Sequence, residues 1–289
     1  MRFFKHPTVL LAAFAGAAPH ALAEPLAPTS ALPAPETSGV SLAGDLDRGW
    51  APPFRASERD QQAAALTIHW SPTEAASLRL HYEVLAAQWP DGTKSAGSGD
   101  ITLGAAGRVW SGASLHPALP EVWVDWSAKL PNASDQSETD GSSSDPTSDP
   151  DAPREYGLGT DETDSSVGGA LRWRLDPGVP ITVMAGGSLL ILGNPLMYAN
   201  QDDAARFALL AEAELGAVAP FLRSVARMES PRNPADVSGA LGAEWRAQRG
   251  AQGLRAGAEG RLGFTPAAAD RGGSVWLGYA WGCPDCGDD

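Results

Sequence analysis

Cysteine is almost missing from this sequence: only Cys283 and Cys286 occur, both in the terminal stretch C-P-D-C. A disulfide framework and a four-cysteine zinc site are therefore excluded from the body of the chain. The tail pair could form a local disulfide, a redox pair or half a metal site. The disulfide is favoured, because there is no second cysteine pair and no helix start to host a thioredoxin-like motif. Long apolar runs are also lacking. No stretch reaches the roughly 18 continuous apolar residues of a spanning helix. Basic residues are few, with Lys and Arg at 21 against 35 Asp and Glu and a formal charge of −14, which argues against nucleic acid as a partner. β-Branched side chains are sparse, whereas glycine, at 32 residues, is abundant. Small side chains lower strand propensity but suit a tightly packed, tilted sheet wall.

What is present begins with an export signal. Arg2 and Lys5 precede an apolar core from Val9 to Ala18, and Ala21-Leu22-Ala23 supplies a cleavage site. Residues 1–23 are expected to be removed. Residues 24–38, with Pro25, Pro28, Pro33 and Pro35, read as an unstructured leader. Alternating segments then recur between turn signals. Strands are expected near 64–70, 76–88, 100–110, 121–131, 165–175, 181–192, 204–215, 218–228, 237–247, 253–264 and 273–281. The last of these, S-V-W-L-G-Y-A-W, alternates cleanly and ends on Trp281 almost at the C-terminus.

Parity separates two faces in these segments. Leu78, Leu80, Tyr82 and Val84 oppose Arg79, His81 and Glu83, and Val122, Val124, Trp126 and Leu130 oppose Asp125 and Lys129. Leu171, Trp173 and Leu175 oppose Arg172 and Arg174, while Leu254, Ala256, Ala258 and Leu262 oppose Arg255, Glu259 and Arg261. Such faces fit a soluble sandwich with apolar residues inward, or a barrel with apolar residues toward lipid. Connection lengths favour the barrel. Counted back from a periplasmic C-terminus, the tight connection at 216–217 falls inside and the longest, 132–164, outside. Eleven strands leave the chain starting on the wrong side, so a twelfth is required. Gly39 to Leu46 is the best candidate, with Val40, Leu42 and Leu46 on one parity. Trp70, Trp173, Trp245 and Trp281 then end their strands at one level with outward parity, as an interfacial aromatic girdle does. Trp110 lies at that level but off parity.

Segment 132–164 carries ten acidic residues against Arg154 alone, among Ser, Pro and Gly. Its first two-thirds, to about residue 156, lacks the apolar surface needed to order itself. It reads as a solvated acidic outer loop.

Several stretches taken in order resemble an outer-membrane family, the one named after the meta-pathway of phenol degradation (MetA-pathway type). These are G-S-G-D-I-T-L-G-A-A-G-R-V-W at 97–110, W-S-A-K-L-P at 126–131, G-L-G-T-D-E-T-D-S-S-V-G-G-A-L at 157–171, and L-G-N-P with the following Q-D-D-A-A-R-F-A-L-L-A-E within 192–212. The resemblance spans residues 64–230. It implies a barrel of about twelve strands and a role in passing small, hydrophobic compounds across the outer membrane. The acidic insertion after Pro131 and the C-P-D-C tail depart from the family pattern.

The reading is an all-β, transmembrane up-and-down antiparallel β-barrel of about twelve strands over residues 39–281, with a tail at 282–289. Its expected place is the outer membrane of a Gram-negative bacterium, in contact with outer-membrane lipid. The candidate lumen-lining residues are Arg79, Glu83, Asp125, Lys129, Arg172, Arg174, Glu212, Arg223, Arg227, Arg255, Glu259 and Arg261. They form either an anion ladder or cross-strand salt bridges that fill the interior. After signal removal only His69, His81 and His116 remain, with no evident serine partner and no third metal ligand, so neither an enzyme, a metal site nor a cofactor is expected. The expected activity is porin-like passage of small-molecule solutes. The alternatives are a closed barrel acting as a structural or interaction protein through its acidic loop, and a periplasmic ligand-binding sandwich.

Overall fold

A computed structural model of the chain describes residues 37–50, 59–88, 90, 92, 94–112, 115, 116, 119–130, 163–191, 204–228, 235–249, 252–266 and 268–282. The expected signal, the expected leader up to residue 36, the acidic segment from 132 to 162, and Cys283 and Cys286 lie outside these residues.

Twelve strands follow one another: β1 (Thr37–Trp50), β2 (Arg59–Thr73), β3 (Ala76–Gln88), β4 (Lys94–Ser111), β5 (Glu121–Leu130), β6 (Asp164–Leu175), β7 (Ile181–Ile191), β8 (Ala204–Ala213), β9 (Val218–Met228), β10 (Asp236–Arg249), β11 (Gln252–Gly263) and β12 (Arg271–Gly282). Each pairs antiparallel with its sequence neighbours, and β1 closes on β12 from Thr37 opposite Gly282 to Arg48 opposite Arg271. The closed sheet rules out the sandwich. The weakly patterned twelfth strand is β1, and it runs from Thr37, two residues ahead of the sequence-based boundary.

Faces are inverted relative to a water-soluble protein. Leu222, Leu241 and Leu262 are about 60–70% exposed on the outside, whereas Lys129, Arg223 and Glu244 are at most 4% exposed within. Apolar side chains turned outward and charges turned inward are stable only when the outer face meets lipid and the inner face meets polar partners. Glycines shape the short turns. Gly216 takes φ 66° in the two-residue connection between Leu215 and Val218, and Gly178 takes φ 102° beside Asp176, whose Oδ1 accepts its N–H. A side chain with Cβ would be strained at both positions.

Strict alternation misplaces Trp110. The β4–β5 register slips between Arg108 and Trp110, so Arg108 faces Trp123 indoors while Trp110 pairs with Val122 and is exposed outside. One extra residue, Val109, restores Trp110 to the row of Trp70, Trp173, Trp245 and Trp281. The girdle therefore has the fifth member that parity had excluded.

Candidate functional site: the barrel lumen

The inner wall is organised as ion-pair clusters placed by strand register. At the long-loop end, Lys129 on β5 sits between Asp100 on β4, at 3.4 Å, and Asp164 at the head of β6. Across the β1–β12 seam, Arg261 on β11 donates to Asp45 Oδ1 and Asp47 Oδ1 on β1, each at 3.1 Å. That reach passes over β12 at Gly272, where an added Cβ would overlap the Asp47 carboxylate. Glycine there lets a β11 guanidinium bind β1 carboxylates across β12, and the ion pairs span the closing seam. Glu259 extends the cluster by accepting from Arg223 Nη2 at 2.5 Å, Arg261 Nη1 at 3.3 Å and Ser274 Oγ at 3.1 Å.

Two clusters occupy the short-turn end. Glu121 accepts Arg172 Nε at 2.6 Å, Arg108 Nη1 at 3.3 Å and Trp123 Nε1 at 3.1 Å, and the Arg172 guanidinium lies 5.1 Å over the Trp123 ring. Glu74 adds a 3.2 Å contact to Arg108. On the opposite wall, Arg246 is held by Glu244 at 2.7 Å, Glu212 at 2.8 Å and Glu214 at 3.4 Å. Glu244 also accepts Trp276 Nε1 at 3.0 Å, while Arg255 approaches it only to 3.8 Å.

Between the clusters, Leu210, Phe221, Trp276 and Met184 form an apolar patch inside the barrel. Phe221 and Trp276 are 6.1 Å apart although β10 and β11 lie between their strands. Their rings lie over Gly242 and Gly257, where an added Cβ would overlap them. Lower on the same side, Ser41, Thr67, His69, Glu244, Arg255 and Trp276 border a small cavity of about 40 Å³.

The structure places the sequence-predicted residues on the inner wall, but it does not gather them into one ladder. Arg223 and Arg261 share Glu259, Arg172 binds Glu121, and Lys129 is flanked by two carboxylates. Arg255 lines the cavity, Glu212 joins the Arg246 cluster, and Glu83 lies 4.0 Å from His81. Asp125 is buried with neither carboxylate oxygen hydrogen-bonded, one wall position away from Gly168. Arg227 stands directly opposite Arg206, and Arg79 opposite His69, whereas Arg174 is exposed at the short-turn end. His69 and His81 are not adjacent: His81 Nδ1 bonds Thr67 Oγ1 at 3.0 Å, and neither His69 ring nitrogen has a hydrogen-bond partner. Among the described residues no group of three metal-ligand side chains occurs. Sequence reasoning missed Asp45, Asp47 and Glu121 because they fall on the faintest strand or at a strand's first residue. It also passed over Trp123, Phe221 and Trp276, whose inward parity was readable.

A closed barrel with an apolar, tryptophan-girdled exterior and a charged interior has the architecture of bacterial outer-membrane β-barrels. Comparison with solved structures agrees on the fold. An outer membrane channel from Pseudomonas putida F1 superposes with a TM-score of 0.54 at 11% identity, covering 87% of this chain and 96% of that one. The translocator domain of the autotransporter NalP from Neisseria meningitidis gives 0.50 at 12% identity, covering 85% and 86%. The β-domain of the Bordetella autotransporter BrkA gives 0.45 at 17% identity, covering 85% and 99%. No family model matches the chain, and no curated protein matches it by sequence.

Proposed function

We propose that this protein is an outer-membrane channel through which small molecules pass without a cofactor. The observation that carries the reading is the division of the wall: an apolar outer face, and an inner face studded with Arg, Lys, Asp and Glu from nearly every strand. Unpaired charges are costly in a dry interior, so a wall of this kind supports a wet lumen. The paired clusters leave the interior polar but divided, with charge concentrated near both ends and an apolar patch between them. Small solutes with an apolar body suit that sequence of surfaces. The motifs that resemble those of the phenol-degradation family, and the likeness in fold to the Pseudomonas putida channel, support the same reading.

A second reading also has support, because the seam cluster of Arg261, Asp45, Asp47 and Glu259 is tightly bonded. In that reading the network closes the barrel, which acts as a structural or interaction protein through its acidic loop. Solute release from vesicles separates the two. Purified mature protein reconstituted into liposomes should release small solutes such as benzyl alcohol and glycerol faster than empty vesicles. Folded, inserted protein with release no faster than the control would favour the closed barrel.

A further inference from the structure

We propose that Arg48 and Arg271, opposed on the outer face of the β1–β12 seam, form a docking site for the phosphate of an outer-leaflet glycolipid. The site rests on the barrel sitting in the outer membrane with its long loops outward, but it does not require conduction.

Strand register brings the two arginines together. Arg48 and Arg271 are direct partners across β1 and β12, and Arg271 is in turn opposite Leu262 on β11. Leu262 is 59% exposed on the outer wall, and residues directly opposite one another in a sheet share a face, so both guanidiniums belong to the outer face. Both residues are exposed. The carboxylates of the same seam turn the other way: Asp45 and Asp47 are buried inside, held by Arg261. Asp270 packs against Gly49, and Asp60 Oδ1 accepts the Gly49 N–H at 3.2 Å. Among the described residues no carboxylate forms an ion pair with Arg271. Like charges placed directly opposite destabilise a strand pair, and an anion shared between them reverses that cost.

Their level in the wall is the second observation. Trp281 ends β12 in the girdle at the short-turn interface, and Arg271 lies ten residues before it on the same strand. Arg48 lies ten residues after Ser38, the partner of Trp281. At about 3.3 Å per residue and a tilt of about 40°, ten residues rise about 25 Å, which matches the height of the apolar band on such barrels. No charged residue faces outward between these two levels on either strand. The pair therefore stands where the opposite leaflet begins its headgroups. Cations at that depth attract anionic lipid, and an arginine fork binds phosphate oxygens two at a time. Beside and below the pair, Leu262, Leu46 and Val275 are exposed and apolar. A phosphate bridging the guanidiniums, with its acyl chains along this strip, meets both surfaces, whereas inorganic phosphate meets only one.

Lipid A is the probe, titrated into refolded full-length mature protein in detergent, with bound copies counted by native mass spectrometry. The first copy should bind saturably. Its affinity should fall at least about tenfold in Arg48→Gln/Arg271→Gln, as loss of charge-assisted phosphate contacts does. Arg48→Lys/Arg271→Lys should fall between wild type and the glutamine pair, because lysine keeps the charge and loses the fork. Arg174→Gln, a charge loss at the short-turn end, should leave the affinity unchanged. Lipid A stripped of its phosphates should bind wild type as weakly as intact lipid A binds the glutamine pair. Folding of each variant is checked by its heat-modifiable mobility in electrophoresis. Wild-type affinity in the folded glutamine pair would overturn the proposal, as would equal binding of the dephosphorylated lipid. Displacement of lipid A by inorganic phosphate at equal phosphate concentration would overturn it in favour of a free-anion site. Conductance enters none of these readouts, so failure here leaves the channel reading standing.

Discussion

Replacing Gly257 by alanine should destabilise the barrel far more than a single methyl group normally does. The residue lies on the inner wall of β11, opposite Glu244 on β10 and Trp276 on β12. An added Cβ would overlap Cζ2 and Cε2 of Trp276 and lie 2.8 Å from Ala243 O. The indole cannot simply swing away, because Nε1 donates to Glu244 at 3.0 Å and the ring packs beside Phe221. Overpacking of this kind costs about 1–3 kcal/mol. Losing the indole bond to a buried carboxylate adds about 1.5–3 kcal/mol. Together, less about 0.5–1 kcal/mol for the intrinsic gain of alanine over glycine in a strand, they give a loss of about 2–5 kcal/mol. The assay is equilibrium urea unfolding of vesicle-inserted protein, followed by tryptophan fluorescence. A double-mutant cycle isolates the cause: in a Trp276→Leu background the ring is gone, and Gly257→Ala should cost much less, leaving only the close approach to Ala243 O. Equal cost in both backgrounds would refute the packing argument, as would wild-type stability of the single variant.

Arg261→Gln removes the cation shared by Asp45, Asp47 and Glu259, and the same urea titration should show a loss of about 3–5 kcal/mol. An unchanged midpoint would mean that the seam is held by backbone pairing alone. Leu222→Arg places a charge on an outer position that is 60% exposed, and folding into bilayers should lose about 2–4 kcal/mol if that position is near the midplane. Undiminished insertion yield would contradict a lipid-facing outer wall. Lys129→Met leaves Asp100 and Asp164 near the long-loop end without that cation, so the reversal potential in a salt gradient should move toward cation selectivity. A potential equal to wild type would remove this cluster from the solute's path.

The sequence made the faces legible because strand parity is a period of two that survives small residues. Leu78 against Arg79 and Leu254 against Arg255 could be assigned without coordinates. The missing strand was found by topology, since an even count was needed and Gly39 to Leu46 carried the remaining alternation. Parity fails where register slips. Val109 adds one residue to β4, and only the pairing with β5 shows that Trp110 turns outward. Partner choice was less legible than placement. Asp45 and Asp47 lie more than 200 residues from Arg261, and their contact depends on barrel closure and on Gly272 leaving space between them. The apolar patch and the cavity depend similarly on Gly242, Gly257 and Gly278. Their meaning lies in the side chains that cross over them, which a one-dimensional pattern does not specify.

The most direct test of the account is single-channel conductance of the refolded mature protein in a planar bilayer, with Arg223→Ala/Arg227→Ala measured alongside. Both arginines are buried on the inner wall of β9, and Arg223 is bound to Glu259. Discrete conductance steps are expected, with ion selectivity altered in the double variant. Protein that inserts and shows the heat-modifiable mobility of a folded barrel, yet conducts nothing, would contradict the open-channel account.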